Sequence, residues 1–267
     1  NTRAIYFETV TNPQLEIADI SRLAAIANKH GILLIADSTI TPPSVFSSKS
    51  LGVHIEVMST TKFISGGATA VGGIIIDNGL YDWNLNPNCQ AFAAKFGKDA
   101  FIARLRKNYY RNMGMPLTAH AANYMIAGLD ILELRVERCY QNCIKLGEFF
   151  QQHPKVTRVD YPGLKDSEYY DLALKQFQGV PGTVMTFDLE SHANCYRFMN
   201  RLKIIRRATN LNDNKSLIIH PYSTIYTEFP EAIRDTMGIR PTMMRLSVGI
   251  EGAEDLITDI EQAMGED

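Results

Sequence analysis

Ile32-Leu33-Leu34-Ile35-Ala36-Asp37 is five apolar residues in unbroken succession, closed by an acid. A strand with one face in water alternates apolar and polar residues. A run without alternation suits a strand covered on both faces, as in a parallel sheet between helical layers. Gly31, just before the run, is well placed to end a helix. Residues Glu16 to His30 put Ile17, Ile20, Leu23, Ala24 and Ala27 on one helical face. Ala4–Glu8 reads as a short buried strand ahead of that helix, and Ile55–Ser59 and Gly73–Asp77 as two more beyond the run. Strands alternating with a helical segment indicate an α/β layer architecture with a mainly parallel sheet. Ligands of such open sheets sit beyond the carboxyl ends of the strands. Glu8, Asp37 and Ser59-Thr60-Thr61-Lys62 fall there. Taken alone, Asp37 is either a turn residue or a group aimed at a ligand. Lys62 is either a solvated loop lysine or an amine able to form an imine with an aldehyde.

Downstream, Pro116 to Gln152 is mostly helical in pattern, with Met125, Leu129, Leu132, Val136 and Tyr140 keeping a three-to-four spacing. After His153-Pro154 short strand patterns appear at Val156–Tyr161, Thr183–Leu189, Ile204–Ala208, Ser216–Ile219 and Met243–Val248. Helical patterns lie around Tyr169–Gln178, Asn194–Leu202 and Ala253–Met264. The expected division is residues 1–115 as part of a large α/β domain, 116–152 as a connecting helical segment, and 153–267 as a smaller C-terminal α+β domain.

Composition narrows the function classes. Hydrophobic residues make up 45% of 267, ample for a core. The formal net charge of −2 gives no broad attraction to nucleic acid or an anionic membrane. No apolar run is long enough to span a bilayer. A cytoplasmic protein acting on small molecules is expected. The start, Asn1-Thr2-Arg3-Ala4-Ile5-Tyr6-Phe7, reads as folded protein without a signal peptide or initiator Met. The chain is therefore expected to begin partway through a longer gene product. Cys139 and Cys143 would share a helical face. A metal pair there lacks a second Cys or His pair of matching spacing, so reduced, partly buried thiols and no metal are expected. Asn214-Lys215-Ser216 matches a glycosylation acceptor but has no secretory context.

Several segments, in order, carry a resemblance. Glu8-Thr9-Val10-Thr11-Asn12-Pro13 is similar to an acid-x-Pro-x-Asn-Pro turn, with Val10 where proline is usual. Asp37-Ser38-Thr39 matches an Asp-Asn-Thr strand end. Ser59-Thr60-Thr61-Lys62 matches a Ser-x-Thr-Lys cofactor segment. Leu134-Arg135-Val136-Glu137-Arg138 matches a helix motif, and His220-Pro221 and Arg245-Leu246-Ser247-Val248-Gly249-Ile250-Glu251 match C-terminal motifs. Asn12 to Asp37 and Asp37 to Lys62 are each 25 residues. Each motif is weak alone, but their order and spacing make them specific together. The chain resembles the cystathionine-γ-synthase-like, or Cys/Met-metabolism, branch of fold-type-I pyridoxal-phosphate (PLP) enzymes.

The resemblance implies roles. Lys62 would carry PLP as an imine and, once freed, move protons as base and acid. Asp37 would pair with the pyridine nitrogen, keeping the ring an electron sink. Asn12 would bond near the ring's phenolic oxygen. Ser59 and Thr61 would bind the phosphate, and Thr39 belongs to the same cofactor set. Arg245 would hold the substrate α-carboxylate in a bidentate pair, against the bland reading of a surface arginine at a strand end. Asn210 would assist at that carboxylate.

Cystathionine-handling members usually show Glu-Ser-Leu-Gly-Gly where this chain has Thr209-Asn210-Leu211-Asn212-Asp213. This is closer to the Asn-x-Gly-Asp pattern of O-acetylhomoserine sulfhydrylases, although Asn212 replaces the glycine and Tyr222 stands where alanine is usual. Thr209 removes an acid that could meet a distal ammonium. The expected reaction is γ-replacement on O-acetylhomoserine with sulfide or a thiol, giving homocysteine or methionine-type products. Methionine or cystathionine γ-lyase and cystathionine γ-synthase activities are alternatives. The resemblance also implies a homotetramer, a dimer of active-site-sharing dimers. Family members carry a long segment ahead of the equivalent of Asn1, with a phosphate loop, a ring-stacking aromatic residue, and a tyrosine and arginine given to the neighbouring subunit. None of these can be placed in this sequence. A rival expectation is thus a catalytically silent fragment or scaffold.

Overall fold

The computed structural model describes residues 1–265. Strands β1 (Ala4–Glu8), β2 (Leu33–Asp37) and β3 (Ile55–Ser59) run parallel, and β4 (Gly73–Asp77) closes the sheet antiparallel to β3. The helix between β1 and β2 spans Ile20–His30. It starts later than the apolar stripe suggests, because the Asp19 carboxylate caps it by accepting from the Arg22 amide. Gly31 ends it at φ 61°, a left-handed conformation that favours glycine. Ile17 is buried from the irregular segment ahead of the cap.

Residues 90–113 carry helical turns that sequence patterning missed. Gln90–Phe96 and Ala100–Arg104 are separated at Gly97, and the second continues through a wider π turn, Leu105–Tyr110, to Arg111–Met113. Their buried contacts are small, Ala93 and Ala100 packing around Trp83, so they leave little apolar periodicity to read. The long helical stretch is two helices, Ala119–Asp130 and Leu132–Gln152. The break turns Leu129 out to solvent, while Met125, Leu132 and Val136 remain buried.

The second sheet holds β5 (Val156–Asp160), β6 (Val184–Leu189), β7 (Arg206–Arg207), β8 (Leu217–Ile219) and β9 (Met243–Ser247), in the order β5-β6-β9-β8-β7. Its pairs are antiparallel except β7 with β8. Central strands β6 and β9 are buried along their whole length. The helices Leu132–Gln152, His192–Arg201 and Ala253–Met264 contribute Phe150, Phe198 and Leu256 to its core, where Phe150 stacks on Phe187 at 4.3 Å.

The two sheets are tied together. The helix Tyr170–Phe177 packs Ala173 and Phe177 into the first sheet's core. The Gln176 side chain accepts from the Ile20 amide at 2.8 Å and donates to the Ala18 carbonyl at 3.0 Å. All four cysteines are free and buried. Burial pushes the Cys139 thiol up to about 12 and Cys143 well above its ordinary value. Among the described residues no cluster of His, Cys, Asp or Glu could hold a metal ion, and no helix is long and apolar enough to cross a membrane.

Candidate active site

The carboxyl ends of β1 and β2 put Glu8 directly opposite Asp37. One Asp37 oxygen accepts from the Thr39 amide at 3.0 Å, and the other from the Tyr6 hydroxyl at 3.0 Å. Burial and that bond to Asp37 push the Tyr6 phenol up to about 12, so it stays a donor. Thr39 also accepts, through its hydroxyl, from the Ser59 amide at 2.9 Å, which joins the ends of β2 and β3. The turn after β1 brings back Asn12, whose amide donates to a Glu8 carboxylate oxygen at 3.1 Å. Burial raises Glu8 above the ordinary carboxylate range, against the Asn12 N–H and with help from the Asp37 charge.

Lys62 sits in the turn following β3, its Nζ donating to Asn210 Oδ1. The Asn210 amide nitrogen donates in turn to Asp213 at 3.3 Å. Burial and the nearby Arg245 charge lower the Lys62 amine below the usual lysine value, partly opposed by Asp213. The loop beyond Lys62 is clamped by Arg135, which donates to the Phe63 carbonyl at 2.7 Å and the Gly128 carbonyl at 2.8 Å. The helix Ala119–Asp130 lies so close to this loop that a Cβ on Gly128 would stand 2.0 Å from the Ile64 carbonyl oxygen.

Arg245, at the centre of β9, faces the same place from the second sheet. Its guanidinium donates to Asn12 Oδ1 at 3.1 Å, the Thr209 carbonyl at 2.8 Å and the Asn210 carbonyl at 3.1 Å. Among the described residues none of its bonds goes to a carboxylate, and its Nε is buried without a partner. Burial lowers it to about 10, with Tyr226 acting in the other direction. Tyr226 donates to the Asn12 carbonyl at 2.9 Å.

These residues enclose a cavity of about 260 Å³ lined by Asn12, Asp37, Thr39, Lys62, Thr209 and Arg245, with Glu8 and the apolar Val10, Ile40, Leu211 and Ile225. Asn210 adjoins it through Lys62. Ser59 and Thr61 do not line it: Ser59 joins Thr39 through its backbone, and the Thr61 hydroxyl donates to the Gly72 carbonyl at 3.3 Å. Tyr6, Tyr226 and Asn212 were absent from the sequence-based set. Period-two alternation along β1 would have found Tyr6, which shares a face with Glu8. Tyr226 arrives by long-range folding and left no such signal, whereas Asn212 showed only as a departure from glycine in the resembled motif.

The donor set fits a pyridoxal group and an amino-acid substrate. An amine with a depressed proton affinity suits imine chemistry, a carboxylate suits a pyridine nitrogen, and a buried guanidinium with an orphaned N–H calls for an anion.

Comparison with known proteins agrees with this fit. The model of the Cys/Met metabolism PLP-dependent enzymes matches residues 1–265. The chain is 34% identical to an O-acetyl-L-homoserine sulfhydrylase of Corynebacterium glutamicum, covering 98% of this chain and 63% of that protein. A solved O-acetylhomoserine sulfhydrylase of Wolinella succinogenes superposes with TM-score 0.87 at 45% identity, covering 98% of this chain and 72% of the other. An O-acetylhomoserine (thiol)-lyase of Campylobacter jejuni superposes at 0.90 with 32% identity, covering 99% and 66%, and that structure contains a pyridoxyl-lysine phosphate. The chain spans a little under two thirds of the length of the first curated relatives it matches. The order of its motifs, the fold and these matches agree: the chain belongs to the Cys/Met metabolism PLP-dependent enzyme family.

Proposed function

We propose that the protein carrying this chain catalyses γ-replacement on O-acetylhomoserine with sulfide or a thiol. Acetate leaves the γ-carbon and a carbon–sulfur bond forms in its place, giving homocysteine or a methionine-type thioether. The observation that carries this reading is the character of the cavity beside Arg245. Thr209, Leu211 and Ile225 line it without charge, so this stretch offers a distal ammonium no acid and suits an uncharged ester, while Glu8 lines the cavity from the end of β1. Similarity to O-acetylhomoserine sulfhydrylases supports the same choice.

When bound, PLP supplies an electron sink for negative charge developing on the substrate carbon chain. The chain's own residues do the rest. Asp37 would face the ring nitrogen and favour its protonated form, with the Tyr6 and Thr39 bonds fixing the carboxylate's direction. Lys62 would hold the cofactor and, when released, carry protons between substrate carbons. Its lowered proton affinity raises the fraction of free amine near neutral pH. Arg245 would grip the α-carboxylate, with Asn12 and Asn210 fixing its fork. Ser59 and Thr61 would meet the phosphate, Thr61 exchanging its long bond to Gly72.

The proposal extends to a cytoplasmic homotetramer and to the division at residues 115 and 152. The separate hydrogen-bonded sheets, β1 to β4 and β5 to β9, support that division, although Ala173, Phe177, Val184 and Leu211 from beyond residue 152 pack into the first sheet's core. Absorbance of lysine-bound pyridoxal in the visible range, lost in Lys62→Ala, is expected on adding PLP. Acetate and homocysteine should appear with O-acetylhomoserine and sulfide. An α-keto acid and ammonia released without thiol would replace the reading with a γ-lyase. A folded chain without that absorbance would favour the silent scaffold.

A further inference from the structure

Asn212 stands where glycine is usual in the motif that this chain resembles, and it is 1% exposed. Its φ of 52° lies in the left-handed region, which asparagine tolerates better than most side chains. The departure from glycine therefore leaves the turn itself unchanged and adds a carboxamide.

The hydrogen bonds of that residue reach far along the chain. Its amide N–H donates to Ser247 Oγ at 2.7 Å, two residues beyond Arg245 on β9. Its side-chain oxygen accepts from the hydroxyl of Thr183, the residue before β6, at 3.3 Å. Its side-chain nitrogen crosses to the first sheet, donating to the Thr39 carbonyl at 2.9 Å and the Ile40 carbonyl at 3.5 Å. The two backbones are close here: a Cβ on Gly182 would stand 2.6 Å from the Ile40 carbonyl oxygen.

Thr39 is the hub of the first sheet's half of the cavity. Its amide holds the Asp37 carboxylate and its hydroxyl holds the end of β3, three residues before Lys62. Its remaining backbone group, the carbonyl, is the one Asn212 takes. On the other side, Asn212 is two residues from Asn210, which meets Lys62 and Arg245.

We propose that Asn212 is a positioning residue that sets the distance between the Asp37–Thr39 half of the cavity and the Arg245 half. It thereby tunes α-carboxylate binding in this chain. The inference rests on the proposed reading of Arg245 as the carboxylate holder, but not on the identity of the γ-substituent. A turn-filling role needs no donor. The positioning role requires the N–H groups that only the amide supplies.

The test uses the full-length, PLP-loaded protein with Asn212→Gly and Asn212→Asp. Glycine accepts the left-handed backbone and deletes the link. Aspartate keeps its size and turn preference but turns a donor into an oxygen facing carbonyl oxygens. The dissociation constant of L-norleucine, an unreactive α-amino acid, is followed through cofactor absorbance. KM and kcat for O-acetylhomoserine are measured beside it. We expect both variants to retain cofactor content, the glycine variant to melt within a few degrees of the parent, and the aspartate variant to melt lower because its buried carboxylate faces two carbonyl oxygens. Norleucine affinity should weaken about tenfold, roughly 1.4 kcal/mol, and KM should rise in step while kcat changes less than threefold. Unchanged norleucine affinity in both variants overturns the proposal. So does full binding in the aspartate variant, or weakening that merely follows lost cofactor. If O-acetylhomoserine is not turned over at all, the sulfhydrylase reading fails while the norleucine measurement still decides the role of Asn212.

Discussion

Arg245→Met separates a binding role from a structural one, because its effects on stability nearly cancel while its effect on ligand binding does not. Arg245 is 2% exposed and, among the described residues, donates to neutral oxygens: Asn12 Oδ1 and the Thr209 and Asn210 carbonyls. Burial without a counter-charge takes the guanidinium from its ordinary value down to about 10. At about 1.36 kcal/mol per tenfold, that displacement costs the folded state roughly 3 kcal/mol. The folded value of a base is depressed here. The penalty is therefore fully present at neutral pH and fades only as pH rises past the folded value toward the unfolded one. Methionine abolishes the penalty and leaves the three oxygens without this donor, at roughly 1 kcal/mol each. The two effects nearly cancel, so the melting temperature should stay within about 6 °C of the parent. Binding has no such compensation. Removing one partner of a buried charge pair costs about 2–5 kcal/mol, which weakens an α-carboxylate ligand by roughly thirtyfold to several-thousandfold. Thermal melts of the PLP-loaded protein with and without L-norleucine read both quantities. The parent should be stabilised by the ligand and the variant should not. A variant that melts more than about 10 °C lower, yet keeps the full ligand-induced shift, would refute the reasoning. Arg245 would then be a structural clamp.

Two further perturbations test the scaffold. Gly128→Ala drives a methyl into the Ile64 carbonyl, so overpacking should cost about 3 kcal/mol in a denaturant titration and disturb the loop after Lys62. Asp259 is buried and would be raised by that burial. The amides of Ile205, Lys203 and Ile204 at 2.8–3.0 Å, with Gln262, outweigh it and hold the carboxyl below its ordinary value. Its stabilisation is thus full above the unfolded value of about 4 and is lost as pH falls through the lower folded one. Asp259→Asn should cost roughly 2–3 kcal/mol at neutral pH, and the difference between variant and parent should shrink in melts taken toward pH 3.

Much of the fold was legible because local chemistry and global structure agree. Alternation, or its absence, located β1 to β4 within a residue, and Ala253–Met264 matched its helical pattern end to end. Periodicity failed where burial is thin. The turns between Gln90 and Met113 bury little beyond alanines, and the expected stripe through Leu129 is interrupted by a break at Ile131. Asp188 was not singled out. It sits in the fully buried β6, where Arg240 grips it at 2.6 Å from the loop before β9.

For the site, the resemblance carried by residue order and spacing named the groups expected to meet a ligand: the amine of Lys62, the carboxylate of Asp37, the amide of Asn12 and the guanidinium of Arg245. Local chemistry alone left Asp37 open between a turn residue and a ligand group, and Lys62 between a loop lysine and an imine-forming amine. Tertiary structure decided the rest. It left the Ser59 and Thr61 hydroxyls outside the cavity, brought Tyr6 and Tyr226 onto its supports, and stretched Asn212 between two sheets. It also left Arg245 buried without a carboxylate partner among the described residues. Desolvation and pairing depend on what surrounds a group in three dimensions, and residues more than 200 positions apart in the chain, such as Asn12 and Arg245, meet only after both sheets have folded together.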